Sequence, residues 1–353
     1  MTMRTLARIV GVLILTTLAA CESAAHISPE RNALVHLALP PVPVSYLGVY
    51  EPEGPSSYRQ VRNFGQAVGR KPNIVVYYSA VNEPFQSAFA RKARGHGATV
   101  LVQIEPWHTS MTAVASGAYD SWLRSYADAV VRFGHPVMIS WAQEANGDWY
   151  PWGYRHVAPA MWVRAWRHIV NVFRGRGAYN VTWVWDMNRD NHGNTGRLKN
   201  WWPGAKYVTW VGIDGYYFRW SDTYHSVLGR TIADARTFTS RPVLVEETAV
   251  GQVAGQAAKI PGLFAGIRRD HVLGLVWFDE AQHHGLYHQD WRLENHPAGL
   301  AAFRKALGEL TTPKWAVHAH RGGPCPSPHG PAHEQLTGAG RVGRSAQSQP
   351  CGG

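Results

Sequence analysis

Cysteine is scarce in this chain, with three among 353 residues, at Cys21, Cys325 and Cys351. Bridges confined to the two ends cannot staple a body of this length, so the fold must rest on a buried apolar core. Long runs of one charge are also missing. The formal net charge is +11, but Arg4, Arg8, Lys314, Arg321, Arg341 and Arg344 place part of it at the ends. No basic cluster marks a nucleic-acid surface, and no nucleic-acid partner is expected. The first strand-like run leads into "GVYEPEGPSS", which is not the glycine-rich phosphate turn that opens a doubly wound dinucleotide sheet. The apolar run from Ile9 to Ala20 is too short for a comfortable membrane span.

Aromatic rings are plentiful: 16 Trp and 15 Tyr within a hydrophobic content of 45%. Many fill the core. Others cluster at polar strand ends, where flat faces beside hydrogen-bonding groups suit sugars. The ends have their own character. Residues 1–21 read as an export signal, with Arg4 and Arg8 ahead of the apolar run and "LAAC" at its close. That ending resembles a bacterial lipoprotein signal, which would lipidate Cys21. The expected location is extracellular or at the cell surface, with the membrane reached only through that anchor. Residues 22–40 read as a tether and 41–313 as the folded domain. Residues 314–353, rich in Gly, Pro, Ser and His, have no apolar period and read as a disordered tail. Cys325 and Cys351 could pair there in an oxidising compartment. The chain is expected to be a monomer.

Between the ends, near-continuous apolar runs recur: "VSYLGVY" (44–50), "NIVVYYS" (73–79), "ATVLVQIE" (98–105), "PVMISWA" (136–142), "VTWVWD" (181–186), "YVTWVGID" (207–214), "PVLVEE" (242–247) and "VLGLVWF" (272–278). Such runs suit strands buried on both faces. Amphipathic segments such as "YDSWLRSYADAVVRFG" and "PAMWVRAWRHIVNVFRGRG" lie between most of them, each closing on Gly. Eight strands alternating with helices predict an α/β fold, a (β/α)8 TIM barrel, with its functional site at the C-terminal ends of the strands.

Seven acids fall at or just past strand ends: Glu105, Glu144, Asp186, Asp214, Glu246, Glu247 and Asp279. Their neighbours discriminate. Glu144 stands in "SWAQEANGDWYPWG", beside Gln143, Asn146 and the rings Trp149, Tyr150 and Trp152. Glu247 ends the seventh strand. Two carboxylates on different strands of one rigid barrel can work on the two sides of a glycosidic bond, one giving a proton and the other attacking the anomeric carbon. The acid needs an apolar surround to stay protonated, which the rings near Glu144 can supply. The nucleophile needs hydrogen-bond donors, and Tyr216 in "GIDGYYF" can be one. Alternation predicts that Glu246 and Glu247 point to opposite faces. Asp186 and Asp214 are expected to cap loops or to hydrogen-bond other site residues. Asp290 and Trp291 are expected to be structural or at the cleft rim. His283, His284 and His288 lack a fitting set of further ligands, so neither a metal nor a cofactor is expected.

"QEANGDWYPWG", "YVTWVGIDGYYF", "RPVLVEETAV" and "GLVWFDEAQ…DWRL" resemble, in that order, the motifs of glycoside hydrolase family 26, whose members are mostly endo-β-1,4-mannanases. The resemblance covers roughly residues 44–306. It implies a retaining (β/α)8 enzyme acting on a β-mannan-type polysaccharide by a two-glutamate double displacement. It places the acid/base on Glu144 and the nucleophile on Glu247. It places substrate contacts at Trp149, Tyr216 and Trp277; beside them, Gln143 can hydrogen-bond a sugar hydroxyl, and Trp107 in "IEPWH" after the third strand offers a further platform. One departure is informative: many family mannanases carry His where this chain has Gln143, and Gln cannot carry charge. Xylanases and mixed-linkage β-glucanases of the same family are therefore alternatives, as is a non-catalytic glycan-binding lipoprotein.

Overall fold

The computed structural model describes residues 39–191, 193–281, 289–308 and 310. The expected signal and Cys21, nearly all of the tether, the tail with Cys325 and Cys351, and His283, His284 and His288 lie outside the described residues. Eight parallel strands close into a barrel in chain order. They are β1 (Tyr46–Tyr50), β2 (Ile74–Ala80), β3 (Thr99–Glu105), β4 (Val137–Trp141), β5 (Val181–Asn188), β6 (Trp210–Asp214), β7 (Val243–Thr248) and β8 (Gly274–Phe278). The helices are α1 (Arg59–Val68), α2 (Ser87–Gly95), α3 (Met111–Ala115), α4 (Asp120–Phe133), α5 (Pro159–Gly175), α6 (Arg230–Arg236), α7 (Gln256–Arg269) and α8 (Pro297–Leu307). The (β/α)8 fold read from the sequence is the observed one. The connection from β5 to β6 carries only the short 3-10 turn Leu198–Trp201.

Side-chain alternation divides the apolar residues into two layers. Tyr46, Ile74, Val76, Leu101, Met138, Val184, Trp210, Leu244 and Val276 fill the barrel interior. Their sequence neighbours, such as Val75, Val102, Ile139 and Val245, pack outward against the helices. The helices answer at a spacing of three to four residues: Leu123, Tyr126, Ala127 and Val130 on α4 are buried, as are Trp162, Trp166, Ile169, Val170 and Phe173 on α5. That spacing puts one stripe on the sheet, and each such large side chain contributes about 1.5–3 kcal/mol over leaving it exposed.

Trp277 corrects the sequence reading. It was expected as an aromatic platform in the cleft, yet it is fully buried. Val276 takes the inward position, so Trp277 points outward. There it meets Phe303 of α8 edge-to-face at 5.2 Å, and its Nε1 donates to the Trp291 carbonyl at 3.0 Å.

Above the apolar interior the barrel turns polar. Gln103, Ser140, Asp186, Asp214 and Glu246 are all buried. Strand β7 is irregular here. Ile213 pairs with Val245 but the next residue, Asp214, pairs with Glu247. Against β8, Val245 pairs with Leu275 and Thr248 with Trp277. One extra residue on β7 makes a bulge, which resets alternation. Glu246 and Glu247 therefore both serve the inner side. Glu246 accepts from Gln103 Nε2 at 3.3 Å, and Glu247 is held by two phenols at the barrel mouth. The expectation that one of them would face the helices fails because of this bulge.

Candidate active site

Glu144 sits where β4 turns sharply. Ala142 and Glu144 both adopt left-handed backbone, with φ of 48° and 52°, a costly conformation for residues other than glycine. The turn is held by Glu144 N–H donating to the Asp186 carbonyl at 3.1 Å and by Gly147 N–H donating to the Glu144 carbonyl at 2.8 Å. The loop then folds the Trp149 indole back over Gly147. A Cβ on residue 147 would stand 2.3 Å from Trp149 Cζ2, so the glycine makes the room. In that position Trp149 Nε1 donates to Glu144 Oε2 at 2.6 Å. The other oxygen, Oε1, accepts from Asn188 Nδ2 at the end of β5.

Glu247 is bound differently. Tyr78 Oη, from β2, donates to its Oε1, and Tyr216 Oη, after β6, donates to its Oε2 at 2.7 Å. Burial and the Glu247 charge push both phenols well above their usual range, so they stay protonated donors. Burial raises the Glu247 carboxyl, while the donors Tyr78, Tyr216 and Gln103 pull it back. Glu144 is lifted to about 7, first by burial and then by the charge of Glu247; Asn188, Trp149 and Asp214 act in the opposite direction. Glu144 and Glu247 keep 8% and 7% of their surface exposed, whereas Glu246 keeps none. The first two open on the cleft and Glu246 is sealed beneath them. Asp186 and Asp214 are also buried below, and burial, together with neighbouring carboxylates, raises both well above the carboxylate range.

The rings after β3 and β4 form one wall. Tyr150 stacks on Trp152 at 4.4 Å, and Trp107 meets Trp152 edge-on at 4.9 Å. Trp152 is buried, while Trp107 and Trp149 are 43% and 39% exposed and present faces to solvent. Glu105 pins this wall: it accepts from Trp107 Nε1 at 2.9 Å and from Gln143 Nε2 at 2.7 Å. Gln143, expected to bind sugar, is thus nearly buried and committed to Glu105. Asp290 is clasped by Arg292 at 2.7 Å and by Asn295 at 2.7 Å, a structural arrangement. Among the described residues no group of three or more His, Cys, Asp or Glu is arranged to hold a metal.

Two site residues escaped the sequence reading. Tyr78 lies in an apolar run that reads as core. Asn188 follows Asp186 by two, so alternation puts it on the same face, and that parity was the available signal.

Comparison with known proteins bears on this geometry. Residues 114–246 match the family model for glycosyl hydrolase family 26, a stretch that includes Glu144 and stops one residue before Glu247. Endoglucanase H of Acetivibrio thermocellus is 31% identical over 264 residues, covering 70% of this chain and 29% of that protein. The chain belongs to glycoside hydrolase family 26. A second relative of this family 26 chain is the β-1,3-xylanase TXYA of a Vibrio species, 25% identical over 70% of the chain and 51% of that protein. The chain thus spans under a third of the first relative and about half of the second. Among solved structures, the catalytic domain of a Bacillus sp. JAMB-750 family 26 endo-β-1,4-mannanase superposes with a TM-score of 0.61. It is 14% identical and covers 83% of this chain and 94% of that one. A modular endo-β-1,4-mannanase from Cellulomonas fimi gives a TM-score of 0.60 at 16% identity, over 79% of this chain and 74% of that one. At these identities the structural likeness speaks for the shared barrel.

Proposed function

We propose that this family 26 chain is a retaining endo-glycanase that cuts a β-linked polysaccharide, with Glu144 as acid/base and Glu247 as nucleophile. The observation that carries the reading is the contrast between the two carboxyls. Glu144 is lifted to about 7 by burial and by Glu247, while Glu247 rests between two phenol donors. Environments that push two carboxyls apart divide the roles of acid and base. In the first step a Glu247 oxygen bonds to the anomeric carbon as the bond to the leaving oxygen breaks, and the Glu144 proton goes to that oxygen. In the second, Glu144 takes a proton from water, the water oxygen bonds to the anomeric carbon, and the Glu247 ester bond breaks. Trp107 and Trp149 offer open faces for sugar rings along one wall of the cleft, and Tyr216 steadies the nucleophile.

For the substrate, the motif resemblance supports a β-1,4-mannan. The relative at 31% identity is named an endoglucanase, and this favours a β-glucan as the second reading. Gln143 fits either, being neutral and tied to Glu105. The test is reducing-sugar release from mannan, glucomannan, mixed-linkage β-glucan and β-1,3-xylan, by the parent and by Glu144→Ala and Glu247→Ala. Release by the parent that is lost in both variants is expected. Equal release by all three would refute the assignment, and binding without release would leave a glycan-binding protein in its place. An exported lipoprotein anchored through Cys21, extracellular or on the cell surface and monomeric, is proposed from the sequence alone.

A further inference from the structure

Trp220 is the most exposed tryptophan among the described residues, with 66% of its surface open, and Val253 in the loop after β7 is 71% exposed. An indole left this open offers a flat apolar face with a polar N–H edge to a ligand. The ring lies in the loop after β6, at the same end of the barrel as Glu144 and Glu247. It is four residues beyond Tyr216, the phenol that donates to Glu247. Tyr216 and Phe218 stack at 5.9 Å, and Trp220 follows two residues on along the same loop.

Trp220 is also held still. The Asp222 carboxylate accepts from the backbone N–H groups of Phe218 and Arg219 at 2.7 and 2.8 Å. Asp222 N–H closes the turn on the Arg219 carbonyl at 2.9 Å. The β6 loop is laced to the β7 loop by Tyr217 N–H to Ala249 and Gly251 N–H to Tyr217, both at 3.0 Å. The indole rests on the start of α7. A Cβ on Gly255 would stand 2.2 Å from Trp220 Cζ3, and Gly255 has a φ of +79°, so a side chain there would be strained as well as in the way. One helical turn on, Lys259 Nζ lies 5.3 Å from the ring centroid. The two contacts come from the residue that caps α7 and from its first turn.

We infer that Trp220 is a remote sugar-stacking platform that holds a pyranose ring of the same β-glycan chain bound at Glu144 and Glu247. The inference rests on the glycanase reading and extends it along the β6 and β7 loops. A β-linked pyranose has an apolar C–H face that matches a flat, electron-rich ring, and an indole fixed in advance loses little entropy on binding. The occupant is a sugar of the substrate chain because the ring stands on the loop that carries Tyr216, at the strand ends where Glu144 and Glu247 lie.

The test compares the parent with Trp220→Ala and Trp220→Phe in two measurements. The first is kcat/KM on soluble glucomannan and mixed-linkage β-glucan against aryl β-mannobioside and β-cellobioside. The second is retardation in native gels containing each polymer. Trp220→Ala should lose roughly three- to tenfold in kcat/KM on the polymer, the scale of one aromatic contact, through KM. It should keep the parent's rate on the aryl disaccharides, which occupy only the sites next to the cut bond. Trp220→Phe should recover most of the loss. Equal activity and retardation in parent and Trp220→Ala would overturn the platform, as would an equal loss on polymer and disaccharide. If the parent cuts none of these substrates, the glycanase reading fails on its own; the gels still decide the platform, which stands if Trp220→Ala is retarded less than the parent and falls if the two migrate alike.

Discussion

Asn146 and Asn188 bind each other twice. The Asn146 Nδ2 donates to the Asn188 carbonyl at 2.8 Å, and the Asn188 N–H donates to Asn146 Oδ1 at 2.9 Å. One residue lies on the loop after β4 and the other ends β5, so the pair fixes the position from which the Asn188 amide reaches Glu144. That amide favours the charged carboxylate and so lowers the Glu144 pKa from where burial would put it.

Asn188→Ala should therefore raise the Glu144 pKa above about 7. Activity that needs the protonated acid falls as pH rises through that value, so the alkaline limb of the kcat/KM profile should move upward in the variant. The lost contact should also cost roughly ten- to a hundredfold in rate, as for a hydrogen bond to a charged group. A pH–rate series on an aryl glycoside checks both. An unmoved limb would mean that the amide does not tune this carboxyl.

Glycine at 147 makes a second, local prediction. Gly147→Ala would place a methyl 2.3 Å from Trp149 Cζ2, and the partly exposed indole would swing away from Glu144. The Tm should hardly change, because the displaced ring moves toward solvent. Rates on poor leaving groups, which depend on proton donation, should fall about tenfold, with little change on activated phenolates. Parallel kinetics on the two leaving-group types would reveal the split.

A third concerns Glu51, at the C-terminal end of β1. It lines a cavity of about 330 Å³ with Asp279, Arg292 and Glu294. Burial lifts its carboxyl to about 9, with Glu294 and Glu53 adding to the shift and Asp279 and Arg292 opposing it. A raised folded-state pKa means that the group stays protonated in the fold while the unfolded chain ionises above about 4.3. Its contribution to stability is complete below that pH and is lost as pH climbs toward about 9. Glu51→Gln removes the titration, so its Tm should match the parent near pH 4 and exceed it increasingly toward pH 8. At most about 1.4 kcal/mol per pH unit separates the two. Thermal melts across that range test it, and a gap that does not widen with pH would count against a protonated Glu51.

These residues also show what could be read from the chain and what could not. The eight apolar runs announced eight strands, and the acids past their ends marked the rim where the candidate site lies, because strand order in a barrel fixes that end. The facing of individual residues was less legible. A strand buried on both sides is apolar throughout, so nothing in "VLGLVWF" said that Val276 would take the interior and Trp277 the helical side. The parity rule also failed at β7, where one extra residue resets it. Such a bulge depends on the neighbouring strands' register, which no local pattern carries. Tyr78 went unnoticed for a related reason: its partner, Glu247, is 169 residues away, and only closure of the barrel brings the two together.

The proposed division of labour between Glu144 and Glu247 gives the last prediction. On the proposed assignment, Glu144→Ala removes the group that protonates the leaving oxygen and later activates water. An activated phenolate needs little help to leave, so the glycosyl–Glu247 ester should still form and then persist. The expected trace is a burst of one phenolate per active site followed by slow turnover. Azide needs no general base and should restore turnover as a β-glycosyl azide, retention being the signature of two displacements. Glu247→Ala should give no burst on the same substrate, because no ester can form. The two environments argue for this order: the carboxyl raised to about 7 holds the proton, and the one between Tyr78 and Tyr216 is supported as an anion. A burst from Glu247→Ala and none from Glu144→Ala would reverse the roles. An inverted azide product would replace double displacement with a single one.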